Sequence, residues 1–250
     1  MTDKCVMTTL LYNCEAFGHL IPQGLEELYH KLIKATLNVR QCTPNALVLI
    51  ESGLLPLRVL IYSRQLKFYK RFKNSLKHNS TRSKVFYSIL DRLDRSEYIQ
   101  HYKNLEERYD GTKDMQEKYL NDLKDSVKEW SNINDHYKHW IYSQFNPLLQ
   151  PSPFLQLPGK TAHAIVKFRL GSHNLEIEKG RWARIPREER KCKECNVIGD
   201  EFHAIYSCKN IYREDIINDL PLDLASIWNN SNLVYTLFNR MTKAKYIDFT

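Results

Sequence analysis

Glycine and proline are scarce in this chain: 8 and 9 among 250 residues. So few turn-formers argue against an all-β fold built from many tight turns. The apolar fraction of 42% and charged fraction of 26% argue against a disordered chain. Six cysteines are too few to staple a chain of this length as a disulfide scaffold. Long apolar runs are missing as well. Ala46–Ile50 and Leu54–Tyr62 are short, and Pro56 and Arg58 interrupt the second, so no segment is expected to span a bilayer. Met1–Thr9 is polar and mixed and does not read as a secretory signal, so an intracellular location, nuclear or cytoplasmic, is expected. There is no G-x-S-x-G, no P-loop, no glycine-rich phosphate cradle and no Asp-Asp pair. Internal repeats and low-complexity tracts are also lacking. The chain is therefore expected not to be an enzyme and to take no small-molecule substrate.

What is present is helical periodicity, positive charge and one cluster of soft ligands. Leu25, Leu28, Tyr29, Leu32, Ile33 and Thr36 recur at spacings of three and four and predict a helix over 24–40. Thr43-Pro44 reads as an N-cap and first-turn proline, opening a short apolar helix that Gly53 ends. Pro56 opens a longer helix towards Phe72. Ser96 is expected to cap a helix over 97–109, which Asp110-Gly111 breaks. Met115, Leu120, Leu123, Val127 and Trp130 form a stripe along 112–130, and 160–170 reads as a further helix stopped by Gly171. Three prolines between Asn146 and Pro153 cannot continue a helix. The expected organisation is a helical region over 10–145, a proline-rich linker over 146–159 and a smaller metal-binding region over 160–250. The fold class is mainly α, with a small zinc-stabilised module at the C-terminal end.

That module rests on Cys192, Cys195, His203 and Cys208, spaced C-x2-C-x7-H-x4-C. Two cysteines three apart can clamp a metal from a tight turn. Asp200 is expected to cap the helix that carries His203, with Cys208 near that helix's end. Thiolate and imidazole are the ligands Zn²⁺ prefers, and four of them with no open position make a structural site. One structural Zn²⁺ is therefore expected, stabilising the segment by roughly 10 kcal/mol or more. His136 and His139 could share a metal but have no cysteine nearby, and the remaining histidines read as surface or hydrogen-bonded residues. Glu176, Glu178, Asp200 and Glu201 read as caps and surface ions.

The formal net charge is +8 and favours polyanionic partners, RNA or DNA, over a membrane. One basic patch, without any acid, runs over 64–84 and includes Lys67, Lys70, Arg71, Lys73 and Lys77, interleaved with Phe68, Tyr69 and Phe72. Such residues could contact phosphates and stack bases, or be the ordinary solvated and core-facing sides of one helix. A second patch holds Lys179, Arg181, Arg184, Arg187, Arg190, Lys191 and Lys193 against Glu188 and Glu189. It could contact a polyanion, or offset the charge of −1 that Zn²⁺ with three thiolates would carry.

The run from Arg169 to Cys195, followed by Asp200-Glu-Phe-His203 and Cys208, resembles the C-terminal end of LINE-type (non-LTR) retrotransposon reverse transcriptases. Those proteins end in a CCHC segment of the same spacing. Leu10–Gly18, Lys34–Arg40, Thr43-Pro44-Asn45 and Glu51–Leu57 resemble the segments that follow the polymerase palm in that family. The resemblance covers most of the chain and implies a thumb-like helical region followed by a zinc module. It implies zinc on the four named residues and contact with template RNA or target DNA. The family's paired catalytic aspartates are missing, so polymerase activity is not carried over. Three readings follow: a non-catalytic nucleic-acid-binding remnant, a zinc-stabilised scaffold for protein interaction, and a fragment of a polymerase whose palm lies elsewhere.

Overall fold

A computed structural model describes residues 8–9, 11–12, 14–15, 21, 23–75, 81, 97–133, 136–157, 159–211, 223–228 and 231–246. Among them the regular structure is helical: α1 (Gln23–Thr36), α2 (Asn45–Ser52), α3 (Leu57–Ser75), α4 (Glu97–Arg108), α5 (Thr112–Ser131), α6 (Tyr137–Phe145), α7 (Gly159–Arg169), α8 (Glu176–Trp182), α9 (Glu201–Tyr206), α10 (Leu224–Trp228) and α11 (Ser231–Lys243). Short 3-10 turns cover Pro153–Gln156 and Arg187–Glu189. The described residues contain no β-strand, only an isolated antiparallel bridge between Lys191 and Ile198. The mainly α expectation holds. No single described helix is long and apolar enough to cross a membrane.

Local chemistry explains several helix ends. Helix α1 stops at Thr36, four residues short of the expected Arg40, because Asn38 takes the left-handed conformation at φ 54°. The Val39 N–H then donates to Lys34 O at 2.9 Å and closes the end. Gly53 ends α2 as its spacing predicts, at φ 68°, with its own N–H on Ile50 O and that of Leu54 on Leu49 O. A side chain at Gly53 would also meet Pro151 at 3.0 Å. The expected Thr43 cap is not made. Pro44 occupies the cap position, and the buried Thr43 hydroxyl has no hydrogen-bond partner. Ser96 lies outside the described residues. Helices α8, α10 and α11 were not foreseen, and of α6 only the helical placing of His139 was.

The chain forms two compact units, residues 1–30 with 55–123 and residues 31–54 with 124–250. In the first, α3 packs on α4. Leu66, Leu105, Tyr109 and Met115 form its buried cluster, flanked by Tyr62 and Tyr119. Tyr69 stacks on Tyr102 at 5.2 Å. The buried Gln65 amide donates to Cys14 O and meets His101 Nε2.

The second unit has the larger core. Phe145, Phe154, Phe168, Trp228 and Phe238 cluster edge to face and tilted, with centroids 5.3–6.3 Å apart. The 146–159 segment is part of this unit and does not separate two bodies. Asn146 hydrogen-bonds both the N–H and the C=O of Gln150, the Ser152 N–H donates to Glu51 O, and Phe154 is buried. The prolines break helices there, while side-chain and backbone bonds hold the segment in place. Glu51, on α2, is fully buried and accepts from Arg169 Nε at 2.8 Å, Arg169 Nη2 at 3.0 Å and the Tyr142 hydroxyl at 2.9 Å. The same aromatic cluster borders the stretch that carries the cysteines.

Candidate metal centre

Cys192 opens a tight loop after the 3-10 turn. The Cys192 N–H donates to Val197 O at 2.7 Å, the Asn196 N–H returns to Cys192 O at 2.8 Å, and the Gly199 N–H donates to Arg190 O. Asn196 supplies the left-handed residue this loop needs, at φ 57°. A Cβ on Gly199 would come within 3.1 Å of Cys192 N and Glu176 Cβ, so glycine lets the loop close on α8. The loop brings Cys195 back beside Cys192. Asp200 then caps α9 as expected, its carboxylate accepting from the His203 N–H at 3.0 Å. Helix α9 ends at Tyr206, and Cys208 follows it by two residues. Five positions in one helix would turn Cys208 away from His203, and the helix stops before that happens.

The four potential ligand atoms of Cys192, Cys195, His203 and Cys208 lie within 4.8 Å of one another. Among the described residues they form the one group of three or more such side chains that could hold a metal ion. Cys192, His203 and Cys208 are buried and Cys195 is half-buried. Their chemistry fits an ion in three ways. His203 Nδ1 is 3.0 Å from Ser207 Oγ, one helical turn on, which leaves Nε2 as the ligand nitrogen. Nε2 is buried with no hydrogen-bond partner, a costly state that a metal would relieve. Burial holds the imidazole pKa below its usual range despite Asp200 nearby, which keeps the ring neutral for ligation.

The sulfurs are prepared differently. Burial by itself would raise the Cys192 thiol, but the backbone N–H groups of Cys195 and Glu194, with Tyr246 and Cys208, bring it below its ordinary value. Cys208 stays above it, chiefly through burial. The Lys209 N–H donates to Cys195 Sγ at 3.3 Å. Cys192 and Cys208 Sγ are 3.9 Å apart, the spacing of two thiolates on one ion rather than of a disulfide.

The acids near the centre are not all surface ions. Asp200 is a cap, but Glu201 and Glu178 are buried. Glu201 accepts from His173 Nε2 at 2.9 Å and from the Tyr137 hydroxyl at 2.8 Å. Burial would raise its carboxyl pKa, but these partners outweigh burial and keep it below the usual value. The Leu175 N–H points at His173 Nδ1, so in the neutral ring the proton sits on Nε2, facing Glu201. Glu178 pairs with Lys138 Nζ at 3.0 Å and accepts from Arg181 Nη2 at 2.8 Å. Arg181 is three residues from Glu178 on α8, but the other partners sit on α6 and in the 170–175 turn and could not be read from spacing.

The basic residues divide by environment. Arg190 packs on Gly180, where a Cβ would run into the Arg190 Cγ, and donates to Ile185 O at 2.8 Å and Ile177 O at 3.3 Å. Arg187 lies 4.3 Å over the Tyr137 ring and 3.7 Å from Asp200 Oδ2. These two and Arg181 brace the module. Arg184, at φ 56°, and Lys191 and Lys193 are exposed. On α3, Lys67 and Arg71 are exposed, Lys70 Nζ donates to Asp110 O at 2.6 Å, and Lys73 pairs with Glu106 at 2.8 Å. Phe68 is also exposed. Lys77 and the side chain of Phe72 lie outside the described residues. His136 and His139 pack as rings against Trp130 rather than joining a ligand set.

Sequence reasoning missed Ser207, Tyr246 and Asn210 around the centre. Ser207 had a signal, the i, i+4 spacing from His203. Tyr246, whose hydroxyl lies 3.5 Å from Cys208 Sγ, had none. No family model matches the chain, and neither does any curated protein or solved structure, so what the centre does is argued from its own residues.

Proposed function

We propose that this chain is a non-catalytic, zinc-stabilised nucleic-acid-binding protein, akin to the region after the palm in non-LTR retrotransposon reverse transcriptases. The observation that carries the zinc assignment is the Cys3His cluster with His203 Nε2 buried and unpartnered. Three sulfurs and one imidazole within 4.8 Å of one another suit Zn²⁺ better than the oxygen-seeking ions, and four protein ligands fill its coordination. The ion would fix a loop otherwise held by one bridge and a few backbone bonds. Arg187 and Arg190 brace that loop, while Arg184, Lys191 and Lys193 are exposed charges on it. Lys67 and Arg71 are the corresponding pair on α3. In this reading these five contact phosphates.

Native mass spectrometry of the reduced protein tests the first half and should show one zinc. The second half is tested by titrating single-stranded RNA and DNA at increasing salt. Each phosphate contact should contribute a slope of about −0.7 in log affinity against log salt. Replacing Arg184, Lys191 and Lys193 by Gln should flatten that slope by about two to three contacts while the fold is kept. Primer extension with Mg²⁺ should yield no product; a product would support the polymerase-fragment reading.

A second reading has its own observation. Trp182, Ile185, Val197 and Ile198 are all exposed around the loop, the last three at 37%, 50% and 36%. An apolar surface of this kind suits a protein partner. Absence of binding to either nucleic acid at low salt would favour it.

A further inference from the structure

Tyr246 lies far along the chain from the metal loop, 54 residues after Cys192 and 38 after Cys208. Its hydroxyl nonetheless sits 3.5 Å from Cys208 Sγ and 3.8 Å from Cys192 Sγ. Asn210 Nδ2 donates to the same hydroxyl oxygen at 3.3 Å. A phenol carries one proton. With its oxygen accepting from Asn210, that proton is left for a sulfur, and Cys208 is the nearer. A metal-bound thiolate has no proton of its own and can only accept.

The ring is positioned from its backbone. The Tyr246 N–H donates to Met241 O at 3.0 Å, its C=O accepts from the Asn174 N–H at 2.7 Å, and Lys245 turns the chain at φ 59°. Met241, Leu237 and Phe238 of α11 share one buried core with Cys192 and Cys208. A phenylalanine would fill the same space, so packing alone does not call for the hydroxyl.

We propose that Tyr246 is an outer-sphere residue of the metal centre, donating its phenol proton to the Cys208 thiolate and secondarily to Cys192. Metal occupancy and docking of the C-terminal turn then support each other. This rests on the metal assignment above and adds to it a residue that touches no ion. The hydrogen bond draws charge from the sulfur, which opposes protonation and ligand loss. Partners of this kind are typically worth 10- to 100-fold in metal affinity.

The test uses the full reduced chain with Co²⁺ as a spectroscopic probe. Tyr246→Phe should weaken Co²⁺ binding about tenfold in chelator competition. It should also move the sulfur-to-cobalt charge-transfer band to lower energy, because the undonated thiolate is more electron-rich. The far-UV circular dichroism of the loaded protein should stay the same. Asn210→Leu, which leaves the phenol in place, should shift the band in a smaller measure. In the parent protein, hydrogen exchange at 241–246 should accelerate on metal removal. A Tyr246→Phe variant with the parent's affinity and band would overturn the proposal, as would unchanged exchange at 241–246. A parent chain that binds no Co²⁺ would instead overturn the metal centre itself, a distinguishable result.

Discussion

Arg169 and Glu51 are both buried, 118 residues apart, and joined by two hydrogen bonds that a third from Tyr142 completes. Asn146 in turn donates to the Tyr142 hydroxyl at 3.0 Å, so the network is satisfied outward. Such a pair contributes little beyond an apolar replacement of equal size, because removing two charges from water offsets their attraction. Breaking one half is different. Glu51→Leu should cost about 3–5 kcal/mol by leaving a guanidinium uncompensated, and the double replacement Glu51→Leu with Arg169→Met should recover most of that. Thermal unfolding followed by circular dichroism separates the two, and equal losses in single and double variants would contradict the argument. His139 sets a pH dependence at the same scale. Burial, aided by His136 and Lys138, lowers its pKa from 6.5 to about 4. The folded value lies below the unfolded one, so the unfolded chain takes the proton first as pH falls. The stability involved is complete above about pH 6.5 and is lost between there and about pH 4. After allowance for solvent screening it amounts to about 1–2 kcal/mol. His139→Gln should flatten the fall in melting temperature between pH 7 and 5.

At the scale of elements, the signals that worked were those with a local cause. Gly53 sets a helix end through its left-handed backbone and Asp200 through a cap one turn away, and α4 and α5 stop and start on either side of Asp110-Gly111, as the spacing of all three put them. The misses were equally physical. Asn38 ended α1 early through a left-handed conformation that asparagine only sometimes adopts. Helix α6 carries His139, Ile141, Tyr142 and Phe145 buried on several sides, so it shows no clean apolar stripe to read. The Asp200 cap also links element to site, because it fixes the start of the two-turn helix that presents His203. Asp200→Ala should cost about 1 kcal/mol of stability. It should also weaken metal binding, since a frayed α9 no longer holds Nε2 in place. Asp200→Asn, which keeps the cap, should restore both, and a competition assay with a chromogenic chelator reads the difference. The four candidate ligands were legible because two short loops and one helix bring them together from within seventeen consecutive residues. Tyr246 was not legible, because its approach depends on how α11 packs.

Across the whole molecule, the division into units follows contacts rather than punctuation. The prolines of 146–153 announce a break in helix, and the break is real, but the backbone there is bonded to Glu51. Residues 31–54 join residues 124–250 through pairs more than a hundred positions apart, such as Arg40 with Ser172 and Asn174. No window of sequence contains such a pair. The same packing bounds what metal removal can do. The sequence alone suggests that residues 160–250 have little to hold them but zinc. The structure packs Phe168, Trp228 and Phe238 of this stretch against Phe145 and Phe154, five rings in contact with one another without any metal. Burial of side chains of that size stabilises by roughly 2 kcal/mol each, independently of any ion. By contrast, residues 190–200 hold one bridge, no helix and few buried side chains. Chelation should therefore loosen the segment 190–211 and the turn at 244–246 and leave α7 and most of α11 folded. Hydrogen exchange with mass spectrometry, before and after treatment with a chelator under reducing conditions, resolves these segments. Protection should vanish at 190–211 and persist at 162–169. Uniform loss across both would mean that the ion, rather than the aromatic core, holds this part of the chain together.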